Sequence, residues 1–167
     1  MKKIFLLFVC AASFGLANAQ SAKPVEFSAG VNLGLPIGDF GKSHSFGFGF
    51  EGLGEYKISD AASLTGSLGY THFIGKEIVE GFKAKGLGVI PILVGGRYYP
   101  SNEFFVGAKL GYGIFTGGGD GGAFTLVPQV GYNAEKYQLA LGYNFLSQSG
   151  GNASYFGLSG VYKFSNK

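Results

Sequence analysis

The chain has 167 residues, of which 31 are glycine and 14% are charged, with 13 Lys and Arg against 10 Asp and Glu. Soluble domains carry about 25% charged residues, so this composition argues against an ordinary water-facing surface. The near balance of charge and the lack of a basic run argue against a nucleic-acid partner.

Residues 1–19 read as a secretory signal peptide that is cleaved and is not part of the fold. Met1, Lys2 and Lys3 form a basic start, Ile4 to Leu16 an apolar run, and Ala17-Asn18-Ala19 a small-x-small cleavage site. The apolar run is shorter than the roughly 20 residues a membrane helix needs. Cys10 follows Leu7-Phe8-Val9 rather than the Leu-small-small triplet before an acylated cysteine, so no lipid anchor is expected. Removing 19 of the 167 residues leaves 148, a single domain over 20–167 without a thiol and with 11 basic against 10 acidic residues. No later apolar run is long enough for a spanning helix. Sparse charge, abundant rings and no spanning helix leave one membrane-compatible solution, a closed barrel of strands, because lipid offers the backbone no hydrogen bonds.

Two-residue alternation, which places alternate side chains on opposite faces of a strand, runs through the rest of the chain. Val25 to Leu33 forms the first strand, with Val25, Phe27, Ala29, Val31 and Leu33 on one face and Glu26, Ser28, Gly30 and Asn32 on the other. A loop with Pro36, Gly38, Asp39 and Gly41 follows. The second strand, Ser45 to Lys57, has the clearest pattern: Phe46, Phe48, Phe50 and Tyr56 against Gly47, Gly49, Glu51 and Glu55. A tight turn leads to the third, Ser63 to Phe73, and a charged connection to the fourth, Gly86 to Tyr99. The run Val89 to Val94 is apolar on both parities; turning Arg97 inward sends Ile90, Ile92, Val94 and Tyr98 outward. Pro91 cannot donate to a ladder and is expected at an edge or bulge. Pro100-Ser101-Asn102 turns into the fifth strand, Phe104 to Phe115. The sixth is Ala123 to Asn133, the seventh Tyr137 to Leu146 and the eighth Ser154 to Phe164.

The expected fold is all-β, an eight-stranded antiparallel up-and-down transmembrane barrel. An even strand number with turns short at one end and longer at the other is the pattern of outer-membrane barrels. Both termini and the short turns then face the periplasm, and four loops, Leu35–Ser45, Ile74–Lys85, Thr116–Gly122 and Ser147–Ala153, face outside. A soluble lipocalin-like barrel would reverse the faces. Here the polar parity is mostly Gly, Ser, Thr and Ala rather than Lys and Glu, and the apolar parity carries rings near strand ends, as interfacial girdles do.

The leader ending Ala17-Asn18-Ala19, the alternating strands and the last strand Gly160-Val161-Tyr162-Lys163-Phe164 resemble the small eight-stranded outer-membrane barrels, the OmpA/OmpX-type and opacity-like group. The resemblance covers the mature chain and implies residence in the Gram-negative outer membrane, among its lipids. It also implies that Gly160, Tyr162 and Phe164 form the signal read by the outer-membrane assembly machinery. Ser165-Asn166-Lys167 follow Phe164, whereas the commonest form of that signal ends on the ring.

The inward charges are Glu26, Glu51, Glu55, Arg97, Lys109 and Lys163. An unpaired buried charge is costly, so pairs are expected between Lys163 and Glu26, Glu55 and Arg97, and Glu51 and Lys109, forming a structural plug rather than an ion path. His72 is outward near the external rim and His44 lies in the first loop, with no nucleophile and orienter assembled around either. Neither an enzyme activity nor a metal site nor a cofactor is expected, and the external ligand is open. Gly117 to Gly122 resembles one copy of a calcium-binding glycine repeat, and a single copy reads as a flexible loop. The function expected is structural or surface-interacting, with two alternatives: a narrow porin-like conductor of small solutes, or an enzyme modifying outer-leaflet lipid.

Overall fold

The computed structural model describes residues 25–79, 82–119 and 121–164. Residues 1–24, which include the expected signal peptide, and Glu80, Gly81, Asp120 and Ser165-Asn166-Lys167 lie outside the described residues.

The elements are β1 (Glu26–Ile37), α1 (Gly38–Ser43), β2 (His44–Lys57), β3 (Ala62–Gly75), β4 (Glu77–Val79), β5 (Phe82–Lys83), β6 (Leu87–Tyr98), β7 (Phe104–Gly117), β8 (Gly122–Asn133), β9 (Tyr137–Gln148) and β10 (Gly151–Lys163). Eight of them close into one antiparallel barrel in the order β1-β10-β9-β8-β7-β6-β3-β2, and β4 pairs with β5 in a separate hairpin. Closure is made where β10 pairs with β1, from Ser28 opposite Lys163 to Ile37 opposite Ser154. No strand edge is left in the wall, which satisfies the backbone without water.

The outer face carries the alternating apolar residues. Phe27, Val31, Phe50, Leu68, Val94 and Tyr98 are each more than half exposed, whereas Ser28, Thr65, Ser67, Thr71 and Gln129 on the other parity are buried. Glycine is used where strands close in: a Cβ on Gly49 would run into the Tyr70 carbonyl, and one on Gly30 into that of Gly160. Gly150, at φ +114°, turns β9 into β10 in a conformation that L side chains rarely adopt.

Several local expectations change. The strands are 12 to 14 residues long and run on into the loops. The fourth connection shrinks to Ser149-Gly150, with Gly151 already opposite Gln148. Pro91 marks neither an edge nor a bulge. Its ladder with β7 is unbroken, and across from β3 the register is the same on both sides of it, Leu68 opposite Ile92 and Thr71 opposite Val89. The bulge occurs in β2 instead, between His44 and Gly47. The first connection contains a helix. No helix among the described residues is long and apolar enough to cross a membrane, which leaves crossing to the strands.

Candidate functional site: the lumen and its two ends

The inward parity places the charged residues in three layers. At the mouth beside the termini, Lys163 Nζ lies 3.3 Å from Glu26 Oε1, with the Glu26 side chain 24% exposed. One layer up, Arg97 Nη1 donates to Glu55 Oε2 at 2.7 Å, and both side chains are almost fully enclosed. Near the middle, Lys109 Nζ lies 3.4 Å from Glu51 Oε2. The wall imposes these meetings: Glu55 of β2 and Arg97 of β6 lie on either side of β3, opposite Thr65 and Ser63 respectively, two residues that share its inner face.

Glu55 is the hub. Ser63 Oγ donates to its Oε1 at 2.7 Å, Gln138 Nε2 to its Oε2 at 3.3 Å, and the Tyr99 hydroxyl to Oε1 through a short hydrogen bond. Gln138 in turn accepts from Arg97 Nη1 at 3.0 Å and donates to Asn133 Oδ1 at 3.0 Å. The Arg97 guanidinium also stands 4.2 Å from the centroid of the Phe105 ring, a favourable place for a cation. Surrounding donors and an aromatic face are what a buried ion pair needs to offset its desolvation. Ser63 and Gln138 carried a signal in the sequence, since both lie on the polar parity. Tyr99 shares the inward parity of Arg97 in the strand expected over Gly86 to Tyr99, although β6 ends one residue before it.

The opposite end is closed by apolar contacts. Phe40 of α1 turns into the mouth and meets Phe73 edge-on at 4.9 Å, and Phe73 meets Tyr155 at 4.9 Å. Val89, Ala123 and Leu146 complete the cluster. The interior is therefore ringed as well as polar, a departure from the small and polar lining that the alternation suggests. Phe73 and Tyr155 share parity with the inward residues of their strands. Phe40, in a connection, could be placed only by the folded chain. Between the two ends remains a cavity of about 50 Å³ edged by Asn32, Glu51, Thr71, Lys109 and Gln129, room for about three or four waters.

The loop end is partly built. Lys76 N–H donates to the Ser43 carbonyl at 2.8 Å, Ala84 N–H to that of Lys76 at 2.8 Å, and Lys76 Nζ to that of Gly41 at 2.8 Å. These bonds join α1 and the β4–β5 hairpin into one platform. Within α1 the hydrogen bond and charge of Lys42 hold the Asp39 carboxyl below its usual range and raise the Lys42 ammonium. Ser43 Oγ and His44 Nδ1 are 2.8 Å apart and His44 Nε2 faces the Lys85 carbonyl at 3.2 Å. Ser43 Oγ also lies 3.2 Å from the Phe40 carbonyl, and His44 stands 4.8 Å from the Phe40 ring, so this trio fastens the helix to the rim. Among the described residues no group of three His, Cys, Asp or Glu gathers to hold a metal. Gly160, Tyr162 and Phe164 sit at the closing seam. Tyr162 and Phe164 point outward, 53% and 57% exposed, with ring centroids 5.7 Å apart.

A closed barrel with an apolar outer wall and its charges paired inside is a transmembrane β-barrel. Residues 6–164 match the family of the outer membrane protein beta-barrel domain, and the chain belongs to that family. It is a protein of the Gram-negative outer membrane. Among solved structures it is similar to Ail, the attachment invasion locus protein of Yersinia pestis, at 14% identity and TM-score 0.59, over 84% of this chain and 97% of that one. A second Ail structure, in complex with the heparin analogue sucrose octasulfate, matches at 14% identity and TM-score 0.53 over the same shares. Neisserial surface protein A is similar at 16% identity and TM-score 0.53, over 86% of this chain and 98% of that one. At these identities the likeness is one of fold. No curated protein sequence matches.

Proposed function

We propose that this is a non-catalytic surface-interaction module carried on a sealed barrel, its loop end facing outside the cell. The observation that carries this reading is the double closure of the lumen, with the Glu55–Arg97 network below and the Phe40–Phe73–Tyr155 cluster above a cavity of about 50 Å³. The six inward charges serve as a structural plug, and Gly160, Tyr162 and Phe164 serve as the assembly signal. The platform of α1 and the β4–β5 hairpin is the part offered to a partner. With Lys42 paired to Asp39 and Lys83 opposite Glu77, Lys76 and Lys85 in the second connection favour a negatively charged one, and the heparin analogue in the Ail complex is a precedent for that chemistry on this fold.

Planar-bilayer recordings test the seal. The expected result is no stable unitary current. Stable currents that shrink when a side chain is added at Gly142, which borders the cavity, would establish a conductor instead. An altered acyl pattern in outer-leaflet lipid on expression would establish an enzyme.

A further inference from the structure

The outer wall is not uniform. Across β1, β2, β3 and β6 it sinks into an open groove of about 1080 Å³, walled by Phe27, Phe50, Leu68, Tyr70, Ile92 and Val94. Its floor includes Ala29, Gly52, Gly54 and Gly66, brought side by side as Ala29 opposite Gly52 and Gly54 opposite Gly66. The barrel itself does not require these glycines. A Cβ on Gly66 would meet nothing within 4 Å, and one on Gly52 only the Leu68 carbonyl at 3.9 Å. This contrasts with Gly49, whose Cβ the Tyr70 carbonyl excludes. What the small floor leaves is room on the lipid side.

Polar groups gather at the upper end of this groove, toward the loop end. The Tyr70 hydroxyl stands 3.5 Å from His72 Nδ1. A Cβ on Gly88 would touch the Tyr70 hydroxyl and Thr116 Oγ1, and one on Gly86 would touch the His72 ring. The two glycines thus let Tyr70, Thr116 and His72 close over β6 just above the groove. Lys85, exposed, immediately precedes Gly86, with its carbonyl facing His44 Nε2 at 3.2 Å. Asp39 is occupied by Lys42 at 2.7 Å and Glu77 stands opposite Lys83 in the hairpin, while Lys85 is the chain neighbour of Gly86, whose Cβ would meet the His72 ring. The other half of the rim differs: Thr116 to Gly122 and Ser147 to Ala153 contain no Lys, Arg or His. Cations and groove lie on the same side of the barrel.

We infer that this side is a binding site for a phosphate-bearing, acylated lipid of the outer leaflet. Its phosphate is met by Lys85, His72 and the Tyr70 and Thr116 hydroxyls, all able to donate to phosphate oxygens. One acyl chain lies down the groove over Gly52 and Gly66. From His72 to Gly66 the strand covers about 20 Å at 3.3 Å per residue. Tilted by about 45°, that is about one leaflet of a hydrocarbon core roughly 30 Å thick. The head site alone would suit any anion, and the groove alone any hydrocarbon; their continuity on one face selects an amphiphile. This inference uses the reading above only in placing the loop end outward, and a conducting barrel would leave it standing.

The test uses the intact folded barrel in phosphatidylcholine nanodiscs, with or without a diphosphorylated, multiply acylated disaccharide lipid, and native mass spectrometry of the lipid retained on release. The wild type should retain the phosphorylated lipid in preference to phosphatidylcholine. His72→Ala with Lys85→Ala should reduce that retention about tenfold. Gly52→Leu with Gly66→Leu should reduce it severalfold with every head-site residue intact, and Val130→Ala on the far wall should not change it. Each variant is first shown to be folded by its resistance to unfolding in detergent, so a lost barrel is not counted as a lost site. Equal retention of phosphatidylcholine would overturn the proposal. So would displacement of the lipid by soluble sucrose octasulfate combined with no effect of the groove variant, because the loops would then be binding a polyanion and the groove nothing in particular.

Discussion

In the proposed sealed barrel, the two ends of the lumen are held by different physics. Beside the termini the seal is an ion pair, Glu55 with Arg97, enclosed by Ser63, Tyr99 and Gln138. At the loop end it is a stack of rings, Phe40 on Phe73 on Tyr155. The ionic seal draws on β2, β3, β6 and β9 together with Tyr99, so the wall itself holds it. The aromatic seal borrows its uppermost ring from α1, a connection. A buried charge tolerates no missing partner, so the first seal belongs in the continuous hydrogen-bonded wall. Apolar contact is non-directional, so the second can be completed by a loop.

Arg97→Ala should show this difference most strongly. It leaves Glu55 buried without its counter-charge and should lower refolding stability by about 3–5 kcal/mol, read from urea titrations in detergent micelles. No measurable change would remove the plug from the account. Adding Glu55→Gln should recover part of the loss, since no charge then remains unpaired. Phe73→Ala, at a fully buried ring, should cost about 3 kcal/mol through the cavity it leaves. Phe40→Ala should cost less, about 1–2 kcal/mol, because α1 can settle into the space. It should also produce no stable current in planar bilayers, since the ionic layer below stays closed; a current would mean that the rings alone make the seal. Lys163→Ala should cost under about 1 kcal/mol, because Glu26 at the mouth can reach water. The smallest effect belongs to the solvent-exposed pair Asp39–Lys42. Its slight stabilisation is present above the carboxylate range, fades as pH falls through the lowered Asp39 value, and fades again as pH rises through the raised Lys42 value. Lys42→Ala should therefore leave the urea midpoint unmoved at neutral pH.

Much of the wall was legible in the chain because alternation is local. Phe46, Phe48 and Phe50 against Gly47, Gly49 and Glu51 assign a face within six residues, and the parity of each inward charge follows from its neighbours. Boundaries were less legible. Turn composition around Ser147 to Ala153 signals a loop, yet Gly151 to Ala153 are paired in the ladder, since hydrogen bonds to β9 outweigh weak local preference. Pro91 gave a misleading local signal, because the barrel closes around it and β7 still pairs along its length.

Taken alone, the amino-acid order determined how many times the chain crosses, which residues face lipid and which charges face inward, because a pleated strand reports its two faces within a few positions. Only the closed barrel decided the rest. It brought Tyr99 and Gln138 to Glu55, laid Phe40 over Phe73, and set Ala29, Gly52 and Gly66 beneath the His72 rim. Those meetings join residues far apart in sequence, and their distances depend on strand stagger and curvature, which no local pattern encodes.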